Sequence, residues 1–186
     1  FVGGTWFDFF ATYVVPHIKK HIRFEEPVQS IQYGPGRAVV RTAKGSYEAD
    51  KVIITVPIKL LQEEAIEFAP PLPAKRQDAI HKVTVWGGCK AFFMFSEKFY
   101  PAVTAVDVVP ETSGHKLFFD AAYGQKSNQH ILGLFAVGAP AERYTERPPS
   151  ELKAAVLSEL DVLFQGQASK TNMKHVFQNW TAEPFA

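Results

Sequence analysis

A single cysteine, Cys89, is all that 186 residues provide, so no internal disulfide can form, and such sparse usage fits a reducing compartment. No apolar run approaches the roughly 20 residues that a membrane-spanning helix requires. Charge of neither sign dominates: 20 Lys and Arg against 19 Asp and Glu leave a net charge of +1, with no long basic run. A nucleic acid or an anionic membrane surface therefore finds no electrostatic footprint to meet. The six histidines are scattered. His17 and His21 lie four apart, but no Asp, Glu or Cys accompanies them at ligand spacing, so no metal site is expected. Ser, His and acidic residues form no nucleophile-elbow pattern. Internal repeats and low-complexity tracts are absent as well.

What the chain has in excess is phenylalanine, 16 residues of it. Phe has no polar handle, so most of these rings are expected in a core or along an apolar cavity. The balance of 46% hydrophobic and 21% charged residues is that of an ordinary globular protein, long enough for one large domain or two small lobes.

Along the chain, Gly3 and Gly4 lead into Thr5, which can cap a helix with Asp8 reaching back as the partner acid. Trp6, Phe9, Phe10, Tyr13 and Val14 then share a helical face, expected to pack in a core, and Pro16 limits its continuation. Runs at 28–33, 38–42 and 46–48, separated by Gly34-Pro35-Gly36 and Lys44-Gly45, read as a β-meander. Residues 52–56 differ in kind. They are apolar on both faces, as in a strand buried within a parallel or mixed sheet, and Pro57 ends them. Short helices are expected over 58–64 and 74–80, on either side of a rigid proline connector at 70–73.

Strand candidates at 90–95, 103–109, 117–123 and 130–137 suggest a second, mostly antiparallel sheet. Pro148-Pro149-Ser150 opens an amphipathic helix with the stripe Leu152, Val156, Leu160, Leu163 and Phe164, which Gly166 stops. A final strand covers 173–180. The fold class is therefore α+β, a mixed α/β chain. Strand character changes between about 75 and 85, dividing a lobe at 1–75 from a lobe at 76–186 that re-enters the first near 175–186.

Several segments, taken in order, resemble the flavin-containing amine oxidase family. They are Phe1-Val-Gly-Gly4, Glu26-Pro27-Val28, Tyr47-Glu-Ala-Asp-Lys-Val-Ile-Ile-Thr-Val-Pro57, Ile66-Glu-Phe-Ala-Pro-Pro-Leu-Pro73, Gly88-Cys89-Lys90, Lys98-Phe-Tyr100 and Asn179-Trp180. The resemblance implies FAD as cofactor, a small-molecule amine as substrate and oxygen as electron acceptor. It makes 1–75 part of an FAD-binding lobe and 76–186 a substrate lobe. The reaction implied is oxidation of a C–N bond by hydride transfer to flavin, giving an imine and hydrogen peroxide. The family's Gly-rich G-x-G-x-x-G strand–turn–helix, which holds the FAD pyrophosphate, is absent from these residues. So is the segment that closes over the flavin. The chain is therefore expected to be an internal piece of an oxidase, one that binds FAD poorly alone and is inactive by itself.

The resemblance implies four site residues. Lys90 would hold a water against flavin N5, its ammonium or amine being a compact donor, with burial against Phe92 favouring the neutral form. Read without the resemblance, Lys90 is a surface charge at a strand edge. Val28 would pair its backbone N–H and C=O with the adenine edge, or simply begin a strand. Pro57 would end a strand near the dinucleotide, or simply terminate it. Trp180 would lie close to the flavin, or be a core tryptophan. Two other readings stay open: a related flavoprotein of the desaturase or protoporphyrinogen oxidase kind, for which the Phe content is suited, and a non-catalytic interaction domain derived from the same fold.

Overall fold

The structure, a computed structural model, describes residues 4–101, 105–107 and 113–185. Gly3 of the expected helix entry, and the ends of the expected 103–109 strand, lie outside the described residues. The chain divides into two compact units. One comprises Phe1–Phe10 and Trp86–Glu183, the other Ala11–Val85 and Pro184–Ala186.

The first helix, α1 (Trp6–Tyr13), begins with the reciprocal cap its sequence predicts. The Asp8 N–H donates to Thr5 Oγ1 (3.1 Å), and the Thr5 N–H donates to Asp8 Oδ2 (2.9 Å). Its aromatic face does not enter a core, contrary to expectation. No α1 residue is buried, and Trp6 is 58% exposed. The rings pack on one another instead, with the Trp6, Phe9 and Phe10 centroids 5.6–5.9 Å apart. Pro16 lies in the first turn of a separate short helix, α2 (Val15–Ile18).

In the Ala11–Val85 unit, β1 (Val28–Gly34), β2 (Arg37–Thr42) and β3 (Ser46–Ala49) form the expected meander. A further strand, β4 (Glu67–Ala69), pairs parallel with β1 and gives the order β3-β2-β1-β4. Helices α3 (Ile58–Gln62) and α4 (Ala74–Lys82) follow the predicted positions. The Gln62 side-chain amide ties them together by donating to the carbonyls of Ile80 (2.9 Å) and Val83 (2.7 Å).

The buried strand expected at 52–56 is not one. These residues join no ladder, and Ile53 is 89% exposed. A run that is apolar on both faces needs backbone partners at its edges and cover above and below. Both edges of β1 are already taken, by β2 and β4, and 52–56 pairs with neither β3 nor β4.

The other unit is built on a five-stranded antiparallel sheet. Its strands are β5 (Gly88–Phe95), β6 (Ala105–Asp107), β7 (Gly114–Asp120), β8 (His130–Gly138) and β9 (Asn172–Asn179), in the order β6-β7-β8-β5-β9. Between β8 and β9 come α5 (Ala139–Thr145), α6 (Pro149–Phe164) and α7 (Gln167–Thr171). Alternate strand residues, among them Ala91, Phe93, Phe95, Leu134 and Ala136, form one buried cluster with Tyr144, Leu152, Val156 and Leu160 of the helices. Pro149 occupies the first turn of α6, where its missing N–H costs nothing. Gln165 (φ 53°) and Gly166 (φ 79°) turn left-handed to end it. Leu163, placed in the buried stripe by periodicity, is exposed, and Leu157 is buried instead.

Candidate active site

Strand parity gives β5 two chemically opposite faces. Cys89, Ala91, Phe93 and Phe95 are buried, while Lys90 and Phe92 are exposed on the other face. The core side holds Cys89 at 1% exposure, and burial alone pushes its thiol up to about 11. Such a thiol is protonated and unreactive at neutral pH. Also on this side, Lys116 Nζ pairs with Glu159 Oε2 (2.7 Å), and the Tyr144 hydroxyl donates to both Glu159 oxygens (2.8 and 3.0 Å). Burial first, then the Glu159 charge, raises the Tyr144 phenol. Each member satisfies another, so this is a structural cluster inside the core rather than a reactive one.

The open face is different. Lys90 lies opposite Phe135 of β8 and Gln178 of β9, and its ammonium is 5.6 Å from the Phe135 ring centroid. The expected burial of Lys90 against Phe92 is not found. The two residues are i and i+2 on one face, side by side along the strand, and both are solvent-exposed. One row further on, Phe92, Gly133 and Phe119 stand opposite one another. A Cβ at Gly133 would come within 2.4 Å of Phe119 Cζ, so the absent side chain makes room for that ring. Phe119 then meets Phe92 edge to face, with centroids 6.2 Å apart.

Trp180 follows the end of β9. Its N–H donates to the Gly88 carbonyl (2.9 Å), as the Thr181 N–H does at 3.3 Å. A Cβ at Gly87 would meet Thr181 Oγ1 at 2.5 Å. The Gln178 side-chain amide closes the turn by donating to Glu183 Oε1 (2.6 Å). Trp180 is thereby fixed against the start of the strand that carries Lys90. It is 48% exposed, not the core tryptophan of the alternative reading.

Val28 and Pro57 lie in the other unit. Val28 opens β1 opposite Thr42, half-buried, with a register shift before Ser30. The preceding Glu26 carboxylate accepts from the hydroxyls of Tyr47 and Thr42, which hold it below the usual carboxylate range. Pro57 is the exposed N-cap of α3. Two cavities of this unit, about 320 Å³ along α3, β4 and α4 and about 540 Å³ beside residues 50–54, include neither Val28 nor Pro57 in their walls.

FAD has a flat ring and a pyrophosphate, and the described residues suit them unequally. An apolar sheet face carrying the Lys90 ammonium would suit the flat ring of the FAD that the resemblance implies. For the pyrophosphate there is no Gly-rich cradle among the described residues. Gly4 does precede a helix, but the Asp8 carboxylate already occupies that helix N-terminus. Sequence reasoning pointed to Lys90 and Trp180, which lie on and beside the open face of β5, and did not anticipate the Phe119–Gly133 arrangement. The mid-strand glycine in Leu132-Gly133-Leu134 was its available signal.

The family model described as flavin-containing amine oxidoreductase matches residues 15–186. The chain is 30% identical to lysine-specific histone demethylase 2 of Homo sapiens over 172 residues, covering 88% of this chain and 21% of that protein. It is 24% identical to polyamine oxidase 1 of Zea mays over 181 residues, covering 90% of this chain and 34% of that protein. Among solved structures, a putrescine oxidase bound to putrescine superposes with a TM-score of 0.78 at 18% identity, over 92% of this chain and 38% of that one. A cyclohexylamine oxidase from Brevibacterium oxydans gives 0.72 at 19% identity, over 92% and 38%. These two likenesses concern the fold. The chain spans about a fifth of the length of the histone demethylases it matches.

Proposed function

The chain belongs to the flavin-containing amine oxidoreductase family, and from that premise we propose that it forms part of an FAD-dependent oxidase of small-molecule amines. In this reading the unit carrying Lys90 is the substrate side, and the β-meander unit is the later part of an FAD-binding lobe. FAD, when bound, supplies the acceptor for the hydride equivalent leaving the amine α-carbon and passes the electrons to oxygen, which becomes hydrogen peroxide.

The chain's own residues have simpler tasks. Lys90 presents three N–H donors above an apolar sheet and holds a water at that face, its ammonium 5.6 Å from the Phe135 ring centroid. That water is placed to take part in proton movement and in hydrolysis of the imine. Trp180 walls the start of β5. In the other unit, the backbone of Val28 offers one donor and one acceptor to the adenine edge, and Pro57 turns the chain at the dinucleotide. The Phe-lined face excludes bulk water once covered, which strengthens each polar contact made there.

The observation that carries this reading is Lys90 itself: an ammonium beside the Phe135 ring on the open sheet face, in a chain matched to the family from residue 15 onward. Anaerobic addition of amines to the flavin-loaded full-length protein tests it. Bleaching of the oxidised flavin spectrum, followed by peroxide formation when oxygen is admitted, is the expected result. A flavin that no amine reduces would overturn it.

A further inference from the structure

We propose that Gln178, oriented by Glu183, is the second anchor of the water at Lys90 and thus a positioning residue for amine oxidation. The contribution to catalysis rests on the amine oxidase reading, whereas the water site rests on the pairing of β5 with β9.

Register supplies the first support. Lys90 has two direct neighbours across the sheet, Phe135 on β8 and Gln178 on β9. Directly opposed residues of an antiparallel pair share a face, with Cβ atoms about 4.5–5.5 Å apart. Of these two neighbours, Gln178 alone carries a hydrogen-bonding side chain. The next opposed pair along the same face, Phe92 and Val176, is apolar.

The second support is the direction of the Gln178 amide. Its Nε2 donates to Glu183 Oε1 at 2.6 Å. An ionised carboxylate only accepts, so the NH₂ end of the amide must face Glu183, and the carbonyl oxygen is set at the other end. Glu183 is no loose surface acid. Its N–H donates to the Trp180 carbonyl (3.2 Å), and the Trp180 N–H donates to the Gly88 carbonyl (2.9 Å). The turn that carries the carboxylate is thereby pinned to the strand that carries Lys90. Gln178 and Glu183 are both half-buried, which limits the other geometries open to them.

The chemistry of the water completes the case. An ammonium offers donors only, so a water resting on Lys90 accepts through its oxygen and needs an acceptor for its own O–H. An ordered water makes about three hydrogen bonds. The Phe135 ring is a poor acceptor, and the Gln178 carbonyl oxygen is a good one. Bonded at both ends, the water is fixed in direction as well as in place, and one lone pair and one O–H remain for the reacting groups.

A double-mutant cycle on the flavin-loaded full-length protein tests the pairing, with anaerobic flavin reduction as the readout. The amine is whichever of benzylamine and 1,4-diaminobutane reduces the unmodified protein faster. Gln178→Leu should slow reduction about tenfold alone and have little further effect in a Lys90→Met background, as residues acting through one water form a unit. Glu183→Gln keeps the side-chain length but lets the facing amide turn either way, so a smaller loss, again confined to the Lys90 background, is expected. A crystal structure of the full-length protein supplies a readout independent of turnover: a water within hydrogen-bonding distance of both Lys90 Nζ and Gln178 Oε1, displaced in Gln178→Leu. Equal losses with and without Lys90, or a water held by Lys90 and not by Gln178, would overturn the proposal. If neither amine reduces the flavin of the unmodified protein, the oxidase reading falls, and the position of the water alone decides for or against Gln178.

Discussion

The Phe119 ring lies in the space that a side chain at position 133 would fill: a Cβ on Gly133 would be 2.4 Å from Phe119 Cζ and 2.7 Å from Cε1. A single glycine in the middle of β8 thus determines where an aromatic ring two residues from the row of Lys90 can rest. Gly133→Ala should force Phe119 off the sheet and cost about 1–3 kcal/mol, the usual range for overpacking. Chemical denaturation measures the loss. Phe119→Ala made in the same chain should recover part of it, and an unchanged midpoint in the single variant would contradict the packing described.

Lys90→Met separates stability from chemistry. The exposed ammonium loses only its contact with Phe135, about 0.5–1 kcal/mol at an exposed site. The denaturation midpoint should barely move. Flavin reduction by amine in the full-length protein should slow by about 10²-fold or more, the contribution expected of a group that manages a proton through a held water. Reduction at the unmodified rate would remove Lys90 from the mechanism.

The buried cluster behind the sheet should respond asymmetrically. The Lys116 side chain is 7% exposed and that of Glu159 34%. Glu159→Gln leaves an ammonium in the core with no counter-charge. Lys116→Met leaves a carboxylate that keeps the Tyr144 hydroxyl and partial contact with water. The first should cost roughly 3 kcal/mol, the second about half that, since removing one member of a buried pair strands the more deeply buried charge. Equal losses would show that the core does not discriminate between the two.

Alkaline stability follows from Cys89. Its thiol ordinarily titrates near 9 and is pushed up to about 11 in the folded chain. Between those values the unfolded chain gives up a proton that the folded chain keeps, so stability falls as pH rises from 9 and levels off above 11. The total effect is about 3 kcal/mol. Cys89→Ala should flatten this part of the profile, leaving the contributions of Tyr100 and Tyr144, both also raised by burial. Native thiol reagents should reach Cys89 slowly, at a rate set by opening of the fold.

Much of this architecture was legible because local pattern and tertiary environment agreed. The meander announced itself through Gly34-Pro35-Gly36 and Lys44-Gly45, α6 through its leucine and valine spacing, and the α1 cap through Thr5 and Asp8. Where they disagreed, the sequence misled. Residues 52–56 have the composition of a central strand, but composition names no hydrogen-bond partner, and none of the described strands pairs with them. The α1 aromatics have core spacing and solvent exposure together. β4 was hidden because three residues are too few to show a period, and α7 because Gly166 reads equally well as an end or a beginning. At the site, alternation along β5 placed Lys90 opposite the core face, but only the family resemblance gave that ammonium a task. The Phe119–Gly133 fit joins residues on two strands and becomes visible only when the strands are aligned.

The two-sidedness of β5 makes the interval between Gly88 and Phe95 intolerant of any change in length. Adding or deleting one residue there would invert everything downstream in the strand, sending an ammonium toward Tyr144 and turning Phe93 out to water. Evolution can redesign what the strand displays by substitution, but not by insertion, so length variation among homologues is expected to collect in the turns on either side.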